Sequence, residues 1–291
     1  MGVEYIVITI IAVLGFTTLV ITVLRHTHTL VIDEVRILVP NASELHGLQI
    51  LHISDLHISS PHTWPLKALD CIQSIKPDII AITGDLTTSP EMLDCTVKAI
   101  GRLTARLGIF VSLGNHDHWQ RSRLQHLLGL TGRFVHPKQI ENKMEKRAIE
   151  TLVNGSVLVN GANGNFYVAG LDDPYLGLDN YDKTYEMIKS DHPVILLSHS
   201  PDAIADVSSH RCDLMLSGHT HGGQIRIPML HGRTFTNTKM VLPRPYGLMV
   251  LNGTPVHVSA GIGTSSELPL RFNCPPRATI LNIVDPRVET I

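Results

Sequence analysis

Five short stretches gather most of the groups in this sequence that could bind a metal or move a proton: Asp55-Leu56-His57, Gly84-Asp85, Gly114-Asn115-His116-Asp117, His199 and Gly218-His219-Thr220-His221. Each follows an apolar run of strand character. The spacing of two in Asp55-x-His57 and His219-x-His221 is awkward on a helix, but in an extended loop leaving a strand it lets both side chains turn to one point. Carboxylates, imidazoles and an amide brought to one rim are costly to bury unless a cation neutralises them. Nitrogen and oxygen donors of this kind suit manganese, iron, zinc or cobalt better than calcium. Two such ions about 3.5–4 Å apart could share a carboxylate, generate hydroxide at neutral pH and hold a phosphoryl oxygen against it. Gly84 and Gly114 would permit tight strand-to-loop turns directly before the ligands. Taken alone, an Asp-x-His tripeptide or a Gly-Asp turn is commonplace, and a single histidine after a strand is usually a hydrogen-bonded core residue. The ordered set, each member just past a strand, points to a metal centre. His118, beside a Trp119 expected to open a helix, reads as solvent-facing or as a support for that centre, and His52 as core.

The elements that must position these groups can be read from apolar periodicity. Strands are expected over 48–54, 78–83, 109–113, 194–198 and 213–217, each ending at one of the five stretches. Helices over 66–75 and 91–107 separate the first three, a βαβαβ run that implies a buried, mainly parallel sheet. Short strands are expected over 30–38, 156–160, 165–171, 223–227, 248–251, 256–259 and 279–284, with Asn252-Gly253 as a hairpin turn. Two packed sheets flanked by helices are the natural layer arrangement, and the carboxyl ends of parallel strands would lie along one ligand-binding edge.

Composition narrows the classes. The chain has 291 residues, with 24 Lys+Arg against 26 Asp+Glu and a net charge of −2, so no basic surface draws it to nucleic acid. Apolar residues at 43% and charged residues at 17% argue for a folded core. Four cysteines far apart read as reduced core residues rather than a disulfide framework. Residues 5–24 carry no charge, and such a helix at ~1.5 Å per residue spans the ~30 Å hydrocarbon layer once. With neither a basic leader nor a small-x-small cleavage site, the run reads as an uncleaved transmembrane helix, not a signal peptide. Arg25 follows the run and Glu4 precedes it, which inclines the main domain to the cytoplasm. The expected organisation is an anchor over 1–28, a connector over 29–46 and one catalytic domain over 47–291.

In this order the five stretches resemble the motifs of the calcineurin-like metallophosphoesterase superfamily, and the resemblance covers nearly the whole chain beyond the anchor. It implies a four-layer α/β/β/α sandwich and a dinuclear site for two divalent ions, manganese foremost. Asp55, His57 and His221 would hold the first ion, Asn115, His199 and His219 the second, with Asp85 bridging. His116 would stand near the leaving-group oxygen as acid or transition-state stabiliser, oriented by Asp117. Leu197-Ser198-His199-Ser200-Pro201-Asp202, Gly218 to Ile225 and Pro269-Leu270-Arg271-Phe272 are similar to the membrane-anchored YkuE/YaeI-type branch, which includes UDP-2,3-diacylglucosamine pyrophosphatases of lipid A pathways. Ser200 stands where that branch commonly has Asn, and Arg277 where an acidic residue is usual. Protein Ser/Thr phosphatases fit less well, because Leu86-Thr87-Thr88-Ser89 replaces the run that comes after their Gly-Asp. The expected activity is hydrolysis of a phosphodiester or pyrophosphate in a phosphorylated small molecule or lipid-linked substrate, with Arg271 as a candidate phosphate contact. A generic phosphodiesterase on soluble substrates is the alternative. A silent scaffold comes last, since all seven ligand positions are filled.

Overall fold

The computed structural model describes residues 2–120, 128, 132–189, 191–227, 236–265 and 268–288. His126 and His231, which carry no motif, lie outside them. The chain opens with helix α1 (Gly2–His28), long and apolar enough to cross a membrane, and its most apolar window is unburied. The threonines within it do not break the pattern. Thr9, Thr18 and Thr22 each donate a hydroxyl to the carbonyl four residues earlier at 2.8 Å, which satisfies them without water.

Beyond the helix the strands are β1 (Val31–Leu38), β2 (Gln49–Ile53), β3 (Ile79–Thr83), β4 (Gly108–Ser112), β5 (Trp119–Gln120), β6 (Arg133–Phe134) and β7 (Ile149–Thr151). They continue with β8 (Gly155–Asn160), β9 (Asn165–Gly170), β10 (Val194–Leu197), β11 (Leu214–Ser217), β12 (Gly247–Leu251), β13 (Thr254–Val258) and β14 (Arg277–Val284). One six-stranded sheet has the order β1-β14-β2-β3-β4-β7, the other β12-β13-β11-β10-β9-β8. Neighbours along β3 alternate in destination: Ile80 and Ile82 pack under the helices Trp64–Ile72 and Leu93–Ile100, whereas Ile79 and Ala81 face the second sheet against Ile195 and Leu214. A third apolar layer, with Leu196, Met215 and Val256, lies beneath the short turns Pro201–Ala205 and Val207–Ser209. Three apolar interfaces separate four layers, the expected sandwich.

Local departures have local causes. The helix expected over 91–107 is a 3-10 turn (Pro90–Met92) and a helix (Leu93–Ile100) that stops at Gly101, whose N–H closes the end on Val97. No strand forms over 223–227. Gly222, Gly223 and Gln224 turn through φ of 60°, 78° and 44°, leaving one bridge from Ile225 to Phe272. Trp119 pairs with Phe134 in a two-strand ribbon and does not open a helix. The expected hairpin forms, with Asn252 and Gly253 at φ of 50° and 83° between β12 and β13. All four cysteines are free thiols, but only Cys274 is buried; Cys71 is exposed and the other two are half-buried, so the expectation of four core cysteines fails.

Strand direction decides where the loops gather. β2, β3 and β4 are parallel, and so are β9, β10, β11 and β13, so their carboxyl ends form one rim. β14 runs antiparallel to β2, and β1 parallel to β14 along all eight of its residues. The start of β1 therefore lies at that same rim, with two residues between it and the end of α1. Arg277, where the resembled branch usually has an acidic residue, forms an ion pair with Asp33 that ties β14 to β1.

Between the sheets, His52 on β2 meets His257 on β13, with Nδ1 atoms 2.8 Å apart, and His52 Nε2 lies 2.9 Å from Thr83 Oγ1. Burial holds His52 well below the usual imidazole range and His257 at about 4. Above pH ~6.5 both are neutral folded or unfolded, so the pair adds no pH dependence. Below that, the unfolded chain takes protons that the folded one refuses, and stability falls as pH drops toward 4. Thermal unfolding of the double variant His52→Leu, His257→Leu is expected to lose several degrees less Tm than the parent between pH 7 and pH 5. Equal slopes would show that the pair does not set the acid sensitivity.

Candidate metal centre

The loops leaving the strands turn through unusual backbone. Asp55, His57, Asp85, His219 and His221 have φ of 51°, 43°, 54°, 69° and 50°, so five of the seven expected ligand positions adopt the left-handed conformation. For residues other than glycine that geometry costs about 1–3 kcal/mol each and persists only where surroundings impose it. Here the loops brace each other: Asp55 N–H donates to Gly84 O at 3.0 Å and His57 N–H to Asp85 O at 2.9 Å. A Cβ on Gly84 would come within 2.6 Å of His199 Nδ1, and one on Gly218 within 2.7 Å of Asp55 Oδ2. Both glycines are there for proximity. Asp117 ties the loops after β3 and β4 together, accepting the N–H groups of Gly114, Asp85 and Leu86 at 2.8–2.9 Å. Burial, with the adjacent Asp85 charge, raises its carboxyl to about 6.

The side chains converge in two pairs joined by one carboxylate. His57 Nε2 lies 3.1 Å from His221 Nε2, and His199 Nε2 lies 3.2 Å from His219 Nδ1. Asp85 Oδ2 is 3.3 Å from both His57 Nε2 and His199 Nε2, one from each sheet. Asp55 Oδ1 is 3.5 Å from His221 Nε2, and the donor atoms of Asp55, His57, Asp85 and His221 all lie within 4.8 Å of one another. Tautomers are set from behind. His199 donates through Nδ1 to Thr83 O at 2.8 Å and His219 through Nε2 to Asn237 O at 3.1 Å, which turns the other ring nitrogen of each inward. Asn115 Oδ1 is buried with no hydrogen-bond partner among the described residues. Ring nitrogens turned toward one another, a shared carboxylate and an orphaned amide oxygen form a donor set that fits divalent cations. Burial disfavours charge on every member. It takes His221 well below the usual range, aided by His57, and His219 to about 4, while the Asp85 charge overcomes burial and raises His199.

His116 sits beside this group, half-buried, its ring 4.9 Å from that of His57 and its N–H on Asp85 Oδ1 at 2.9 Å. His118 is fully buried, not solvent-facing, and bonded through Nε2 to Asp172 at 2.6 Å. Sequence reading missed Asp172, the buried Asp173, whose carboxyl burial raises to about 6, and Tyr175, whose ring lies 5.2 Å from His219. They lie in a loop after β9 with no motif spacing to mark them.

Arg271 is a correction. It is fully buried and its guanidinium is spent on the carbonyls of His221, Ala260, Gly261, Gly263 and Cys274, at 2.5–3.3 Å, so no N–H is directed to a phosphate. It holds the backbone that carries His221. Arg271→Gln would orphan several buried carbonyls, and we expect a loss on the order of 3 kcal/mol, about 6–12 °C in Tm by thermal unfolding. An unchanged Tm with a raised KM would restore the phosphate-contact role.

Comparison with known proteins agrees with this geometry. The family model for calcineurin-like phosphoesterases matches residues 48–223, which contain all seven converging residues. The chain is similar to the uncharacterized metallophosphoesterase YkuE of Bacillus subtilis, 31% identical over 249 residues, 81% of this chain and 79% of the relative. It is 28% identical to the phosphodiesterase YaeI of Escherichia coli, covering 81% of this chain and 82% of that one. To the UDP-2,3-diacylglucosamine pyrophosphatase LpxG of Chlamydia trachomatis it is 27% identical, with coverage of 82% and 84%. With a matched segment that runs from the first catalytic strand through both paired histidines, the chain belongs to the calcineurin-like phosphoesterase family.

Proposed function

We propose that the protein is a membrane-anchored phosphodiesterase or pyrophosphatase, with two divalent cations, manganese foremost, acting on a phosphorylated amphiphile of the UDP-2,3-diacylglucosamine kind. The observation that carries the chemistry is Asp85 Oδ2, 3.3 Å from an imidazole nitrogen of each sheet. In this reading Asp55, His57 and His221 would hold one cation and Asn115, His199 and His219 the other, with Asp85 available to both. When bound, the pair supplies Lewis acidity to a phosphoryl oxygen and a water acidified enough to attack at neutral pH. His116, the accessible imidazole of the group, donates its proton to the departing oxygen. Asp117 keeps Asp85 in place through the backbone.

The substrate class rests on the anchor. With β1 starting at the catalytic rim, the helix emerges beside the site, and lipid head groups meet that site far more often than dilute solutes do. A relative named as a UDP-2,3-diacylglucosamine pyrophosphatase supports the same class. Arg25 at the end of the helix favours a cytoplasmic catalytic domain.

Asp85→Ala is expected to lose both ions by elemental analysis and all measurable turnover; two ions retained per chain would sink the bridging role. His116→Ala should keep the ions and lose ~10²–10⁴-fold in kcat on a poor leaving group. For the substrate, turnover of UDP-2,3-diacylglucosamine in mixed micelles is compared with that of bis-p-nitrophenyl phosphate. Cleavage of the soluble diester alone would make the protein a phosphodiesterase of soluble substrates.

A further inference from the structure

We propose that the surface formed by Ile225, Ile227, Leu268 and Leu270 lies in the head-group layer of the bilayer, so that the catalytic rim opens onto the membrane surface. This rests on the reading of α1 as a membrane span and deepens it, because the anchor then sets the depth and orientation of the site and is more than a tether.

The four side chains are 36%, 50%, 38% and 41% exposed, large aliphatic groups with no covering element among the described residues. Their backbone is one unit. Arg226 N–H donates to Phe272 O at 2.9 Å and Phe272 N–H to Gln224 O at 2.8 Å, which joins 224–226 to 272. The Gln224 side chain donates to Leu268 O at 2.9 Å and accepts from Ser265 N–H at 2.7 Å, which fixes the approach to Leu268 and Leu270.

This unit is bolted to the end of α1. Arg271 N–H donates to Thr27 Oγ1 at 2.9 Å, and Asn273 N–H to His26 Nδ1 at 2.8 Å. The His26 and Phe272 rings lie 5.9 Å apart. Depth is set by helix rise. Thr27 is three residues beyond Leu24, the last residue of the charge-free run, or about 4–5 Å along the axis. The polar layer of each leaflet is about 5–8 Å thick. A loop hydrogen-bonded to residues 26 and 27 thus sits at head-group depth, and its leucines and isoleucines meet the acyl boundary there. Exposed Arg25 on the same turn suits anionic lipid phosphates.

The same unit touches the catalytic rim. Arg271, between Leu270 and Phe272, donates to His221 O at 3.3 Å, and Gln224 comes three residues after His221. A substrate can therefore keep its acyl chains in the leaflet while its phosphate reaches the site, with no extraction into water. The occupant is the lipid surface, since the patch continues the membrane-spanning helix.

The test uses the full-length protein in vesicles of phosphatidylcholine and phosphatidylglycerol, with Cys71→Ser removing the exposed native thiol. Nitroxide labels go on Ile227→Cys, Leu270→Cys and, as a control, Leu158→Cys on the far edge of the second sheet, with background from the unsubstituted Cys71→Ser protein subtracted. Dissolved oxygen is expected to relax the labels at 227 and 270 more strongly than a water-soluble nickel chelate, and the order should invert at 158. Labels at 227 and 270 that behave like 158, or that are shielded from both agents as at a protein interface, would overturn the proposal. Flotation with the vesicles separates the two readings: a protein that fails to float loses the anchor itself, and one that floats with wet labels loses only the docking surface.

Discussion

Everything at the rim depends on one buried carboxylate serving two sheets. Asp85 leaves the first sheet at the end of β3, and its Oδ2 stands at equal distance from His57 of that sheet and His199 of the other. Burial alone would raise this carboxyl, but His199 and His116 hold it well below the usual range, so it is anionic in the folded chain. An anion so placed draws imidazoles from both sheets to itself. It is also the group that two cations could share. Apolar packing holds the sheets together, and this one anion joins their loops at the rim.

Keeping that arrangement takes a rigid backbone. Parallel strands bring the loops to one edge, and left-handed turns at five positions aim the side chains inward. That conformation is unfavourable for Asp and His, and it survives because the loops hydrogen-bond one another and because two buried residues hold them from outside. Asp117 accepts N–H groups from the loops after β3 and β4, whereas Arg271 donates to carbonyls around His221 and Gly261. The two work with opposite sign, an acceptor gathering amides and a donor gathering carbonyls. Neither is placed to contact a substrate.

The reversed direction of β1 and β14 gives the fold its relation to the helix. Had β1 run with β2, the helix would have joined the sheet at the opposite edge, a strand length or more from the site. Antiparallel pairing of β14 with β2 puts the start of β1 at the catalytic edge, and the contacts of His26 and Thr27 with 271–273 fix the helix end there.

Much of this was legible in the order of residues. The chemistry-bearing groups come after strands in a fixed sequence, and continuous apolar runs between amphipathic helices marked the parallel core, because burial on both faces of a sheet leaves a continuous hydrophobic signature. Elements without that signature were missed or misjudged: the short β7 strand, the ribbon around Trp119, and the turn at 222–224, where consecutive positive φ angles replaced an expected strand. Arg271 shows the limit best. As a residue type it suits a phosphate, and only the folded chain reveals that five carbonyls already occupy it. The pairing of His52 with His257 and the bond from Thr27 to Arg271 span 205 and 244 residues of sequence. Sequence by itself determined which donor atoms are present, their order and the strands that carry them, because these depend on local spacing. Which atoms meet, which charges are already satisfied and where the helix joins the rim were decided by strand order and direction, since contacts between distant residues are set by the way sheets pair and leave no mark in local composition.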